Sequence, residues 1–241
     1  MSSLDKFPGI KALTFDVFGT VVDWRSSIIA EGKALEAKTG IGADWAVVAD
    51  HWRACYTPYM DKVRNGELPW TNLDTLHRMI LDEIVIKFDL QGLSEEEIAE
   101  FNLAWHRLNP WPDAIQGLER IRKSSTIAAL SNGNVSLLVD MAKHVGLPWD
   151  SIISAEVARH YKPDAIVYEK AAQLLRLKPA QVMMVATHVI DLEAAAGVGF
   201  KTAFVHRPFE YGKERRVSEF KLERFDLVAE NFPELASLIG A

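Results

Sequence analysis

The stretch KALTFDVFGTVVDW, residues 11–24, places one carboxylate, Asp16, directly after an apolar run. A charged residue ending a buried strand either caps the following turn through its side chain or meets a ligand. Gly19 permits a tight return of the chain, which can leave the amides of residues 17–19 pointing at whatever the carboxylate faces. An anion or a developing negative charge suits such a nest. Other polar residues also follow apolar runs: Ser131 and Asn132 in ALSNGNVS, and His188 and Asp191 in VATHVIDLEAAAG. Lys162 precedes Pro163, which can begin a helix, and Tyr168 lies further along HYKPDAIVYEK. Each has a plain structural reading. Ser131 and Asn132 are favoured helix caps, Asp191 complements a helix dipole, Lys162 alone is a solvated lysine, and His188 alone is a structural or surface histidine. In one crevice they read differently, because an ammonium beside Asp16 holds that carboxylate ionised. Arg53, in DHWRACY, has a less polar setting than most helix arginines and can reach an anion from above. No set of histidines and acids has metal-ligand spacing.

The elements that must position these residues follow from periodicity. Strand-like apolar runs occur at residues 10–16, 126–131, 181–187 and 201–206, separated in the second half by helical patterns such as Val135, Leu138, Met141, Ala142 and Val145. Strand and helix in alternation predict an α/β fold, a doubly wound, Rossmann-like parallel sheet with helices on both faces. Ligands in such sheets bind outside the carboxyl ends of the strands, where Asp16, Ser131, Asn132 and residues 187–191 fall. From about residue 24 to residue 107 no strand run is seen, and helical patterns fill the gap, one of them opening on a capping box at Ser94 and Glu97. This predicts a catalytic core of residues 1–23 and 108–241 with an all-helical cap, residues 24–107, over the first strand's end.

Composition narrows the function. The chain of 241 residues is 49% hydrophobic and 25% charged, the balance of an ordinary globular protein with a substantial core. A net charge of -6 gives no broad positive field, so nucleic acid is not an expected partner. No stretch approaches the roughly 20 apolar residues of a membrane span. The N-terminus MSSLDKFPGIK lacks an apolar signal core, and the single Cys55 cannot form an internal disulfide. A cytoplasmic, membrane-free protein is expected, with Cys55 a small apolar residue on a helix.

The motifs DVFGT, SNGN, KPDAIVY and VATHVIDL, in this order, resemble the haloacid dehalogenase superfamily and within it the (S)-2-haloacid dehalogenase, or type II, branch. The resemblance covers Asp16 to about Pro208 and includes the placing of the cap. It implies that Asp16 attacks C2 of a 2-substituted carboxylate and forms an ester, ordinary covalent catalysis. It further implies that Arg53 and Asn132 hold the departing halide, and that Ser131 and the amides near Val17 and Phe18 receive the substrate carboxylate. Thr20, Lys162, Tyr168 and Asp191 resemble supporting residues: Lys162 balances charge beside Asp16, and Asp191 positions Lys162 and the hydrolytic water. The superfamily's phosphatases carry a second aspartate where this chain has Phe18, and a Mg²⁺-binding carboxylate where it has Ala186 and Thr187. A halide leaves without a proton, so no general acid, metal or cofactor is expected. Ala186 and His188 stand where a serine and an asparagine are often found, and Val189 and Ile190 replace more polar or aromatic residues. The same nucleophile acting on another 2-substituted carboxylate, such as azetidine-2-carboxylate, and a small-molecule phosphatase are the alternatives. The sequence leaves oligomeric state open: enzymes of the branch it resembles are often dimers, which admits a homodimer, and the apolar residues Trp45, Trp70 and Trp105 serve either an interface or the core.

Overall fold

The computed structural model describes residue 7, residues 9–213 and residues 222–241. The N-terminal stretch read above as lacking a signal core lies largely outside the described residues. Six parallel strands form one sheet: β1 (Ala12–Phe15), β2 (Thr126–Ser131), β3 (Ser151–Ser154), β4 (Val182–Ala186), β5 (Lys201–Val205) and β6 (Leu227–Ala229), in the spatial order β3-β2-β1-β4-β5-β6. β1 is entirely buried and pairs with β2 on one side and β4 on the other, with Phe15 opposite Ala129 and Val185. The chain moves outward from β1 in one direction and then resumes in the other, so the crevice at the carboxyl end of β1 is the switch point of the sheet.

Two of these strands, β3 and β6, are absent from the sequence-based expectation. They occupy the sheet edges, span four and three residues, and leave no apolar run long enough to announce a strand. The other four coincide with the predicted runs.

Between β1 and β2 the described chain is helical: α1 (Trp24–Thr39), α2 (Trp45–Arg64), α3 (Leu73–Lys87), α4 (Glu95–Asn102), a 3-10 turn (Leu103–Arg107) and α5 (Ala114–Arg122). Local chemistry sets their ends. Asp23, Asp44 and Asn72 accept amide hydrogen bonds at the starts of α1, α2 and α3, and Gly40 ends α1 in the left-handed conformation. The expected capping box is present at α4: Ser94 Oγ accepts from the Glu97 amide at 3.3 Å and Glu97 Oε2 from the Ser94 amide at 3.0 Å. The helices enclose an aromatic core in which Trp52 meets Trp105 edge-on at 5.5 Å and Phe101 at 5.4 Å. Such pairs contribute about 0.5–1.5 kcal/mol each beyond area burial. Trp45 and Trp105 are buried in this core rather than presented at a surface, and Trp70 packs on Tyr161 at 4.9 Å.

The remaining helices are α6 (Val135–Val145), α7 (Ala155–Ala158), α8 (Ala165–Leu175), α9 (Val189–Gly197) and α10 (Phe232–Leu238). α8 begins after Asp164, not at Pro163, and Asn134 rather than Ser131 or Asn132 occupies the cap position of α6. Among the described residues no helix is long and apolar enough to cross a membrane.

Candidate active site

Asp16 leaves β1 with its amide donating to Val185 O at 3.0 Å, which fixes the backbone at the crevice floor. Its carboxylate is almost fully buried and has three partners. Thr20 Oγ1 donates to Oδ2 at 2.7 Å, Lys162 Nζ to Oδ1 at 2.9 Å, and His188 Nδ1 lies 2.8 Å from Oδ2. Thr20 in turn accepts from the Thr187 amide at 3.0 Å, tying the loop after β1 to the loop after β4.

Lys162 reaches the crevice from the loop between α7 and α8. Its amide donates to Asn132 Oδ1 at 2.7 Å and its carbonyl accepts from Asn132 Nδ2 at 3.3 Å, so the side chain after β2 holds the lysine's backbone at two points. Nζ also donates to Asp191 Oδ2 at 2.5 Å, and Asp191 accepts the hydroxyl of Tyr168 on its other oxygen. Asp191 lies in the first turn of α9.

These contacts set the charges. Burial alone would raise the Asp16 pKa, but the ammonium of Lys162, followed by His188 and Thr20, overrides it and holds Asp16 far below the usual carboxylate range. Burial likewise works against a charged Lys162, yet Asp16 and Asp191 keep it protonated beyond the ordinary lysine range. Asp191 is shifted upward, first by burial and then by Asp16, against the pull of Lys162. His188 is disfavoured as a cation by burial, but Glu210 and Asp16 outweigh that and push its pKa up to about 10.

Above the cluster opens a cavity of about 640 Å³ whose wall combines Asp16, Phe18, Asn132, Lys162 and His188 with residues of α2. From α2, Arg53 enters over the face of Tyr56, its guanidinium 4.4 Å from the ring centre, and its buried Nη1 has no partner among the described residues. Phe18 packs edge-on against Trp105 at 5.8 Å and gives an apolar wall beside Asp16.

The haloacid dehalogenase-like hydrolase family model matches residues 10–199. The chain belongs to this family. A solved structure of the L-2-haloacid dehalogenase PA0810 is 44% identical, superposes with a TM-score of 0.89, and covers 95% of this chain and 97% of its own. The (S)-2-haloacid dehalogenase of Xanthobacter autotrophicus is 30% identical, over 82% of this chain and 76% of its own length. A structure of the L-2-haloacid dehalogenase from Xanthobacter autotrophicus with chloropropionic acid covalently bound is 25% identical, with a TM-score of 0.77 over 95% of this chain and 98% of that one.

Within this dehalogenase-like site, the residues expected from sequence divide in two. Asp16, Phe18, Arg53, Asn132, Lys162, His188 and Asp191 converge on the cavity. Val17, Thr20, Ser131 and Tyr168 do not line it. Thr20 and Tyr168 act from beneath, through Asp16 and Asp191. Ser131 is fully buried and its hydroxyl accepts the Gly133 amide at 3.2 Å, so its side chain is taken up by its own turn. The Val17 side chain is buried and its carbonyl accepts the amides of Val21 and Val22. The expected amide nest is smaller than residues 17–19, because the Gly19 amide donates to Val22 O at 3.0 Å.

Glu210 belongs to the site but not to the residues expected from sequence. It is 2% exposed; Oε1 and Oε2 lie 3.0 and 3.2 Å from His188 Nε2, and Oε1 accepts the indole N–H of Trp24 at 3.1 Å. Glu210 lies in RPFEYG, directly after the strand-like run 201–206, so its position at a strand exit is the one sequence signal it carries. Tyr56, Met60 and Tyr211, which also line the cavity, carry no such signal.

Proposed function

We propose that this chain hydrolyses short (S)-2-haloacids to 2-hydroxy acids through an ester on Asp16. The observation that carries the reading is the ionised, lysine-paired Asp16 facing a cavity walled by Phe18 where a proton donor would otherwise stand. Displacement at C2 needs an anion held at attack distance and a place for the departing halide, and splitting the reaction through an ester makes each step easier. Lys162 keeps Asp16 anionic, Asp191 and Tyr168 aim Lys162, and Arg53 offers its unpartnered N–H to a leaving halide or to the substrate carboxylate. Asn132, expected to hold the halide, has its amide directed at the main chain of Lys162, so in this reading it positions the lysine. The covalent chloropropionic acid in the Xanthobacter autotrophicus relative supports the ester route.

In the same reading, residues 1–23 and 108–241 form the catalytic core, residues 24–107 the cap that supplies Arg53, and the enzyme works in the cytoplasm, without metal or cofactor, as a homodimer. The test is a single turnover with (S)-2-chloropropionate in heavy-oxygen water, with and without EDTA. Chloride release unaffected by EDTA, with the label entering Asp16, is the expected result. Label passing directly into the hydroxy acid, with none in Asp16, overturns the ester; metal-dependent phosphate release from p-nitrophenyl phosphate in place of chloride release points to a phosphatase.

A further inference from the structure

The geometry points to a second role for His188, in the hydrolytic half of the reaction: with Thr20 it clamps Asp16 Oδ2 and stabilises the oxyanion formed when water adds to the ester, while Glu210 holds its other nitrogen. This inference rests on the ester mechanism proposed above and concerns the step after halide loss.

The argument starts from the lone pairs of Asp16. A carboxylate oxygen accepts about two in-plane hydrogen bonds. Oδ2 meets two partners, Thr20 at 2.7 Å and His188 at 2.8 Å, whereas Oδ1 meets only Lys162. The pair available for attack at C2 is therefore on Oδ1, and Oδ2 becomes the carbonyl oxygen of the ester. Both donors then already surround the atom that takes up negative charge in hydrolysis, the arrangement an oxyanion hole requires.

The histidine's protonation follows from its neighbours. One nitrogen faces Asp16 and the other faces Glu210, and a neutral imidazole can donate to only one of them. Carboxylates on both sides select the imidazolium, which donates to both. Glu210 is itself buried and fixed by Trp24, and a buried carboxylate is tolerated when a cation is beside it. The upward shift of the His188 pKa, caused by Glu210 and Asp16 against burial, agrees with this. When Asp16 is esterified its charge leaves with the halide, yet Glu210 still holds His188 protonated for the next step.

In that step the water oxygen bonds to Cγ of Asp16, the carbonyl pair moves onto Oδ2, and one water proton passes to the Asp191 carboxylate. Collapse restores the carbonyl and breaks the Cγ–Oδ1 bond. Its electron pair stays on the oxygen of the 2-hydroxy acid, which takes the proton back from Asp191. The second water proton leaves the reformed Asp16 carboxyl to solvent, so nucleophile, His188 and Asp191 all return to their starting states.

The test separates the two half-reactions by rapid quench with (S)-2-chloropropionate, reading chloride and the intact protein mass. Loss of one oxyanion donor slows the step it serves by about 10²–10³-fold. His188→Ala is expected to release about one chloride per site quickly, then to accumulate the Asp16 ester and turn over at least about a hundredfold more slowly. His188→Asn, which keeps a neutral donor, is expected to recover part of the hydrolysis rate. Glu210→Gln leaves the histidine in place and decides the matter if His188→Ala does not fold; it should show a weaker burst of the same kind that fades as pH is lowered and His188 recharges. If both variants slow the first chloride as much as later ones, with no ester accumulating, the inference is overturned. If wild-type enzyme shows neither chloride release nor a trapped ester, the underlying reading fails instead.

Discussion

The ammonium of Lys162 stands between two carboxylates, 2.9 Å from Asp16 Oδ1 and 2.5 Å from Asp191 Oδ2, with all three groups buried. Removing the cation leaves two buried carboxylates facing each other with only His188 and Thr20 on Asp16 and Tyr168 on Asp191, and breaking a buried ion pair in this way costs about 3–5 kcal/mol. One carboxyl relieves it by taking up a proton, and only ionised Asp16 is a nucleophile. Lys162→Met is therefore expected to lower chloride release by a factor of roughly 10² or more at neutral pH. In wild type Asp16 lies far below its ordinary pKa, so activity persists into acid; in the variant the acid limb of kcat/KM moves to higher pH. An unmoved limb in the pH profile would show that Lys162 does not govern the charge of Asp16.

Arg53 bears a buried N–H with no partner among the described residues, poised over the Tyr56 ring. An orphaned buried donor is costly unless an anion arrives. Arg53→Lys preserves the charge but loses the planar fork and its stacking, and the two side chains are not interchangeable at such a site. The variant is expected to lose about 10- to 100-fold in kcat/KM and to bind product chloride more weakly. Steady-state kinetics with added chloride measure both; equal inhibition of variant and wild type by chloride argues against an anion at Arg53.

His106 links α3 to α6. Its Nε2 lies 3.1 Å from Asp74 Oδ1 at the start of α3, and its Nδ1 lies 2.9 Å from Asp140 Oδ2 on α6. Burial disfavours its charge, but Asp74 and then Asp140 raise its pKa above the ordinary 6.5. Because the folded value exceeds the unfolded one, the stabilisation is complete below the unfolded pKa and is lost as pH rises through the folded one. His106→Gln should lower the thermal midpoint by more at about pH 5.5 than at about pH 9. A deficit of the same size at both values would mean that packing, and not charge, is what His106 supplies.

How far the sequence revealed this site depended on where each residue sits along a strand. Asp16, His188 and Asp191 were legible because they follow long apolar runs, and topology sends every such run to the same crevice. Lys162 stood out only through its motif, since nothing in HYKPD predicts that Asn132 takes hold of its backbone; that pairing joins residues thirty positions apart. Ser131 reads two ways in the sequence, since a strand-end serine is as well suited to bonding its own turn as to binding a ligand, and its hydroxyl accepts the Gly133 amide. Strands β3 and β6 escaped notice for a different reason: an edge strand of three or four residues needs pairing, not pattern, to exist. Glu210 combines both difficulties, since an exit-loop acid reads as solvated until its burial against His188 is seen.

Gly19 is where loop and site come closest. It adopts φ of 84°, and a Cβ built there would fall 2.2 Å from Glu210 Oε1 and 2.6 Å from its carboxyl carbon. Gly19→Ala meets two costs, the left-handed backbone, about 1 kcal/mol for a side chain with a Cβ, and the displacement of a buried carboxylate. The far end of Glu210 can swing aside, but doing so breaks its contacts with His188 and Trp24. The variant is expected to fold with a lowered thermal midpoint and to lose activity out of proportion to that loss. Its alkaline limb should shift below that of wild type, since His188 without Glu210 gives up its proton at lower pH. Comparing melting curves with pH–rate profiles tests this directly, and a variant that melts earlier yet retains the wild-type profile would place Glu210 outside the chemistry.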